Sequence, residues 1–75
     1  MKYRFDYTKL RKRIREMCGT QAVFARRLGL SANSMTKRLS SRVPFTYVEM
    51  ETALQLLEID WREIRLYFFQ EKFTK

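Results

Sequence analysis

The chain has no histidine, one cysteine (Cys18), one proline and two glycines among 75 residues, and each shortage removes a class of function. A lone thiol builds neither an internal disulfide nor a metal cluster, and without histidine the common zinc sites, catalytic triads and imidazole acid–base pairs have no members. The carboxylates stand mostly in the C-terminal part, where helix caps and solvated faces account for them, so no enzyme, metal or cofactor is expected. So little cysteine suits a reducing, cytoplasmic setting. Apolar runs such as Leu66 to Phe69 fall far short of a bilayer span, and the start alternates Lys2, Tyr3, Arg4 and Phe5 without an apolar signal segment. Neither secretion nor membrane insertion is expected. A chain this short buries only about 60% of the surface it exposes when unfolded. That argues for a single domain over residues 1–75 and against a deep substrate pocket.

Negative charge is the other scarce commodity, and it is unevenly placed. Residues 1–42 hold twelve Lys and Arg against two acids, whereas residues 43–75 hold four against six. A segregated positive half creates a field that captures polyanions, which makes nucleic acid the leading partner. The bland alternative is that these cations merely solvate helix faces. Membrane adsorption is disfavoured, because the cluster Lys9, Arg11, Lys12, Arg13 and Arg15 shares its segment with only Leu10, Ile14 and Met17, a thin wedge for lipid.

What is present reads as helix throughout. Asp6 is placed to cap a first helix over about residues 7–18, with Phe5 and Leu10 as a hydrophobic staple and Gly19 as its stop. Leu10, Ile14 and Met17 mark its buried stripe. Thr20 caps a second helix ending near Gly29, and Ser31 caps a third over about 32–39 that buries Met35 and Leu39. Pro44 enforces a loop. Thr46 with Glu49 forms a capping box for a fourth helix over about 47–58, and Asp60 with Glu63, stapled by Ile59 and Ile64, opens a fifth. Met17, Phe24, Met35, Leu54, Leu57 and Trp61 are expected in the core, with Cys18 as a small filler. The tail Leu66 to Phe73 extends helix five or forms an extended arm; a short apolar run does not distinguish them.

One constellation is specific. Between Gln21 and Leu39 a short helix, Gly29 in the turn, an apolar Leu30 and a second capped helix resemble a helix-turn-helix. Two helices crossing steeply over so short a connection need a small residue at the contact and glycine where φ is positive, and Ala25 and Gly29 supply these. The order and spacing of Gln21, Ala25, Gly29, Leu30 and Ser31 are similar to the Cro/repressor family of phage and Xre-type regulators. The likeness continues through Pro44, Leu57, Ile59, Asp60, Trp61 and Ile64, so it spans about residues 7–66. The start Phe-Asp-Tyr-Thr-Lys-Leu, with Gly-Thr-Gln and the late Tyr-Phe-Phe, looks most like small Cro-like regulators of phages from Gram-positive hosts. Two departures stand out: Arg38 occupies a usually apolar position, and Ser40 and Ser41 stand where the family often has glycine. Either Leu39 supplies the missing apolar contact, or Arg38 packs its methylenes and sends its guanidinium outward.

The resemblance implies an all-α, five-helix, lambda-repressor-like DNA-binding domain with its helix-turn-helix at about 21–39. It implies that Ala32, Asn33, Thr36 and Lys37 face base edges, with Asn33 suited to adenine, Lys37 to guanine, and Ala32 or the Thr36 methyl to thymine. Gln21, Ser34, Arg38 and Arg42 are the implied phosphate contacts. Tyr67, Phe68, Phe69 and Phe73 either serve a two-fold dimer on a palindromic operator, or close the core and fray. The function expected first is a repressor that occupies double-stranded operator DNA as a homodimer; the alternative is an antirepressor or modulator that grips another phage regulator with the same scaffold.

Overall fold

Three of the helices begin where an N-cap hydroxyl takes up a free N–H group of the first turn. The computed structural model describes residues 4–71 and contains α1 (Thr8–Cys18), α2 (Gln21–Leu28), α3 (Ala32–Leu39), α4 (Tyr47–Leu56), a 3₁₀ turn (Trp61–Glu63) and α5 (Ile64–Phe68). Thr20 accepts from the Val23 N–H, and Ser31 accepts from the Ser34 N–H. Thr46 and Glu49 form the reciprocal box, at 3.1 and 3.0 Å. Two starts differ in detail from the sequence reading. Asp6 accepts from the Thr8 N–H at 2.9 Å and from its hydroxyl at 2.6 Å, but stands one residue ahead of the N-cap Tyr7. Asp60 accepts from the Arg62 N–H at 2.8 Å and also binds the Arg62 guanidinium, so the fifth element opens as a 3₁₀ turn instead of a second capping box.

The chain takes a positive φ at Gly19, Gly29, Ser41 and Glu58. At the last three the helix closes with the same pair of backbone bonds: Gly29 to Arg26 and Leu30 to Ala25, Ser41 to Arg38 and Arg42 to Lys37, Glu58 to Gln55 and Ile59 to Leu54. This is the Schellman closure, in which glycine at the left-handed position is cheapest. Ser41 recovers part of the cost: its hydroxyl accepts from the Phe5 N–H at 3.1 Å and tethers the N-terminal segment to the end of α3. Glu58 has an exposed side chain with φ 53°. Glu58→Gly is therefore expected to raise stability by about 0.5–1 kcal/mol, since relief of left-handed strain outweighs the added freedom of the unfolded chain. An unchanged or lowered thermal midpoint would count against it.

Leu10 and Ile14 of α1, Phe24 and Ala25 of α2, Met35 and Leu39 of α3, and Ala53, Leu54 and Leu57 around α4 meet in one core. An edge-to-face ladder closes it, with ring centroids 5.5 Å apart for Tyr7 and Phe45 and 5.2 Å for Phe45 and Phe68. Tyr67 and Phe68 are buried in this core, the core-closing alternative of the two that the sequence left open: the spacing of Ile64, Tyr67 and Phe68 turns them inward. The tail is helical as far as Phe68. The helix stops at Phe69, beyond which Glu71 bridges antiparallel to Phe5, the Asp6 N–H donates to the Gln70 carbonyl, and the exposed Phe69 ring packs edge-on to Phe5 at 5.8 Å. Phe73 lies outside the described residues. Trp61 corrects the expected core. It is 56% exposed, because it sits at the start of its element beside Tyr47 of α4, a turn short of the core that Ile64 reaches. No helix among the described residues is long and apolar enough to cross a membrane.

Candidate functional site

The α2–α3 unit is held from below and presents α3 outward. Ala25 is buried at the crossing, Gly29 makes the turn, and Met35 and Leu39 anchor α3 to the core. Ala32, Asn33, Thr36 and Lys37 are all exposed. The Thr36 hydroxyl donates to the Ala32 carbonyl at 3.0 Å, tying it to its own helix.

Gln21 is less free than a bare helix start. Its amide nitrogen lies 3.5 Å from the Thr36 hydroxyl, and its carbonyl oxygen accepts from the Arg11 guanidinium at 3.4 Å. The side chain thus links α1 to α3. Ser34 is half-buried and its hydroxyl accepts from Ser31 at 3.1 Å. Arg42, in the loop after α3, is exposed.

Arg38 departs from the expected phosphate clamp. Its Nε and one terminal nitrogen donate to the two Glu49 oxygens at 2.8 and 3.1 Å, and its other terminal nitrogen donates to the Ser34 carbonyl at 3.2 Å. All three guanidinium nitrogens are engaged, the two side chains are only 14% and 13% exposed, and Leu39 fills the apolar place next door. The outward guanidinium is corrected: a bidentate carboxylate is a better partner for the planar fork than bulk water once its stem lies against α4. Burial alone pushes the Glu49 carboxyl up, but the hydrogen bonds from Arg38 and Thr46 outweigh it and hold it below its ordinary 4.5. Nothing in the sequence signalled this pair, because its members lie on different helices.

The basic run of α1 is divided among structural duties. Arg13 donates to the Leu57 carbonyl at 2.8 Å and Arg11 to the Leu39 carbonyl at 3.3 Å, so two cations cap the C-terminal ends of α4 and α3. Lys9 stands 5.2 Å over the Tyr67 ring. Lys12, Arg15, Arg26 and Arg27 remain exposed; Lys12 and Arg15, three apart, share a side of α1, whereas the adjacent Arg26 and Arg27 lie about 100° apart around α2. The exposed cations of the positive half are thus shared among α1, α2 and the end of α3. Lys37 and Arg42 are the exposed cations at the end of α3.

A family model described as a protein of unknown function, DUF739, matches residues 3–71. The chain belongs to the DUF739 family. A solved structure similar to this DUF739 chain is the modulator of repression (MOR) of the temperate bacteriophage TP901-1 from Lactococcus lactis. The two are 37% identical with a TM-score of 0.77, over 87% of this chain and 88% of that one. No curated protein matches the chain.

Proposed function

We propose that this DUF739 protein modulates repression by binding another regulator protein, the helix-turn-helix scaffold serving as an antirepressor or modulator. The observation that carries this reading is the 37% identity to a phage modulator of repression across nearly the whole of both chains. The geometry agrees in one respect. Arg38, the cation that a DNA-reading α3 would offer near its end, is neutralised by Glu49. No catalysis and no cofactor is assigned, and the site of action is the bacterial cytoplasm.

The deciding experiment mixes the purified protein with the repressor encoded in the same genome and measures complex formation by calorimetry, alongside gel shifts on random duplex. A stable heterocomplex is expected, with weak, non-selective duplex binding that fades as salt rises. A specific feature favours the second reading, operator DNA bound by a homodimer: Asn33 and Lys37 are exposed on α3 with Arg42 beyond them. Selection from a randomised duplex library at about 150 mM salt separates the two, because specific contacts persist there. A palindrome with half-sites about one turn apart would overturn the modulator reading. Asn33→Ala should then lose site preference while keeping random-duplex affinity, and Arg42→Ala should weaken both and reduce the salt slope by about one.

A further inference from the structure

From Val43 to Trp61 this basic chain contains no lysine or arginine, while Glu49, Glu51, Glu58 and Asp60 all fall there. The fold turns that stretch into a surface. Tyr47 and Val48 in the first turn of α4 are 61% and 66% exposed, and Trp61 is 56% exposed across from them. The Tyr47 and Trp61 rings meet edge to face, 6.4 Å between centroids. Beside them a shallow cleft of about 230 Å³ has Leu54 and Ile59 among its walls, together with Glu51, Gln55 and Trp61. Glu51 is exposed and has no ion pair among the described residues.

Three bulky apolar groups left in water next to an uncompensated carboxylate make a poor solvated face and a good recognition surface. Tryptophan and tyrosine dominate interface energetics, and rings already packed on one another lose little freedom when covered. Charge selects the occupant. Arg38 binds Glu49 and Arg62 binds Asp60, which leaves Glu51 and Glu58 as the carboxylates of this stretch without an ion pair among the described residues. These disfavour a nucleic-acid backbone, and a two-fold contact centred on Glu51 would set it against its own mate. A partner with cationic side chains around an apolar centre satisfies both parts: a lysine or arginine stem can lie against Trp61 while its charge meets Glu51. We infer that the α4 face of Tyr47, Val48, Glu51 and Trp61 is the docking surface for a cationic face of the partner regulator protein. This rests on the modulator reading above and names the surface it uses, placing that surface on α4 and not on the exposed side of α3.

The test measures affinity for the repressor encoded in the same genome, using the full chain and single variants whose fold is checked by circular dichroism. Glu51→Lys and Tyr47→Ala are each expected to weaken the complex about tenfold or more, and Asn33→Ala and Lys37→Ala by no more than about twofold. Trp61 is the one tryptophan of the chain, so its emission should shift to the blue on binding, and Trp61→Phe should abolish that change. If the wild type binds but the α4 variants bind equally well while the α3 variants lose affinity, the docking surface is wrong and the modulator reading survives. If the wild type forms no complex, both fall. Self-association abolished by Glu51→Lys, with repressor binding unchanged, would assign the face to a second copy and overturn the inference.

Discussion

Phe68→Ala should leave much of the protein unfolded at ambient temperature. Phe68 is 1% exposed, closes the aromatic ladder against Phe45, and lies in the last turn of α5. Truncating a fully buried phenylalanine removes its transfer energy and leaves a cavity, a loss of about 3–5 kcal/mol. A small domain has little more than that in total, about 5 kcal/mol at the low end of the usual range. The neighbouring Phe69→Ala provides the contrast. That ring is 43% exposed and touches Phe5 at the edge, so about 1 kcal/mol or less is expected. Urea denaturation followed by circular dichroism separates them. Equal, small losses at both positions would mean that α5 does not close the core; a folded Phe68→Ala monomer replacing a wild-type dimer would restore Phe68 to an interface.

Glu49→Ala should be the next most damaging change outside the aromatic core, at about 2–4 kcal/mol. Two losses coincide. The carboxylate closes the capping box with the Thr46 N–H, and it neutralises a guanidinium only 14% exposed. An unpaired guanidinium in that position keeps its desolvation cost without its attraction, while a fully buried case would lose more. Glu49→Gln retains an acceptor for the cap and removes the charge, so a smaller loss of about 1–2 kcal/mol is expected. The pH dependence has a definite sign. Because the folded-state pKa of Glu49 is lowered, its contribution is fully present above the ordinary 4.5 and disappears as pH falls through the lower folded value. Denaturation midpoints of the wild type should therefore decline with acid more steeply than those of Glu49→Gln. Parallel curves would show that the pair does not contribute.

Much of the architecture was legible because it is written in short-range chemistry. Thr20, Ser31 and the Thr46–Glu49 box act within one turn, and the stripe Leu10–Ile14 needs only helical periodicity. Gly29 in the turn, with Ala25 beneath, is likewise a local demand of a tight crossing. The two remaining left-handed positions, Ser41 and Glu58, were hidden because neither is glycine; strain at each is offset by helix-closing bonds and, at Ser41, by the contact with Phe5.

The exposed set on α3 follows from the same periodicity, and Ala32, Asn33, Thr36 and Lys37 do share the outward side. The sequence by itself determined the five helices, the helix-turn-helix spacing and the split of charge between the two halves, all properties of neighbours along the chain. Only the tertiary structure decided which cations are spent. Arg11 and Arg13 cap distant helix ends, Arg38 is bound by Glu49, Tyr67 and Phe68 go inside, and Trp61 stays out beside Tyr47. Those outcomes depend on which helices lie side by side, because a guanidinium or a ring takes the best partner that packing brings within reach, however far away it lies in the chain.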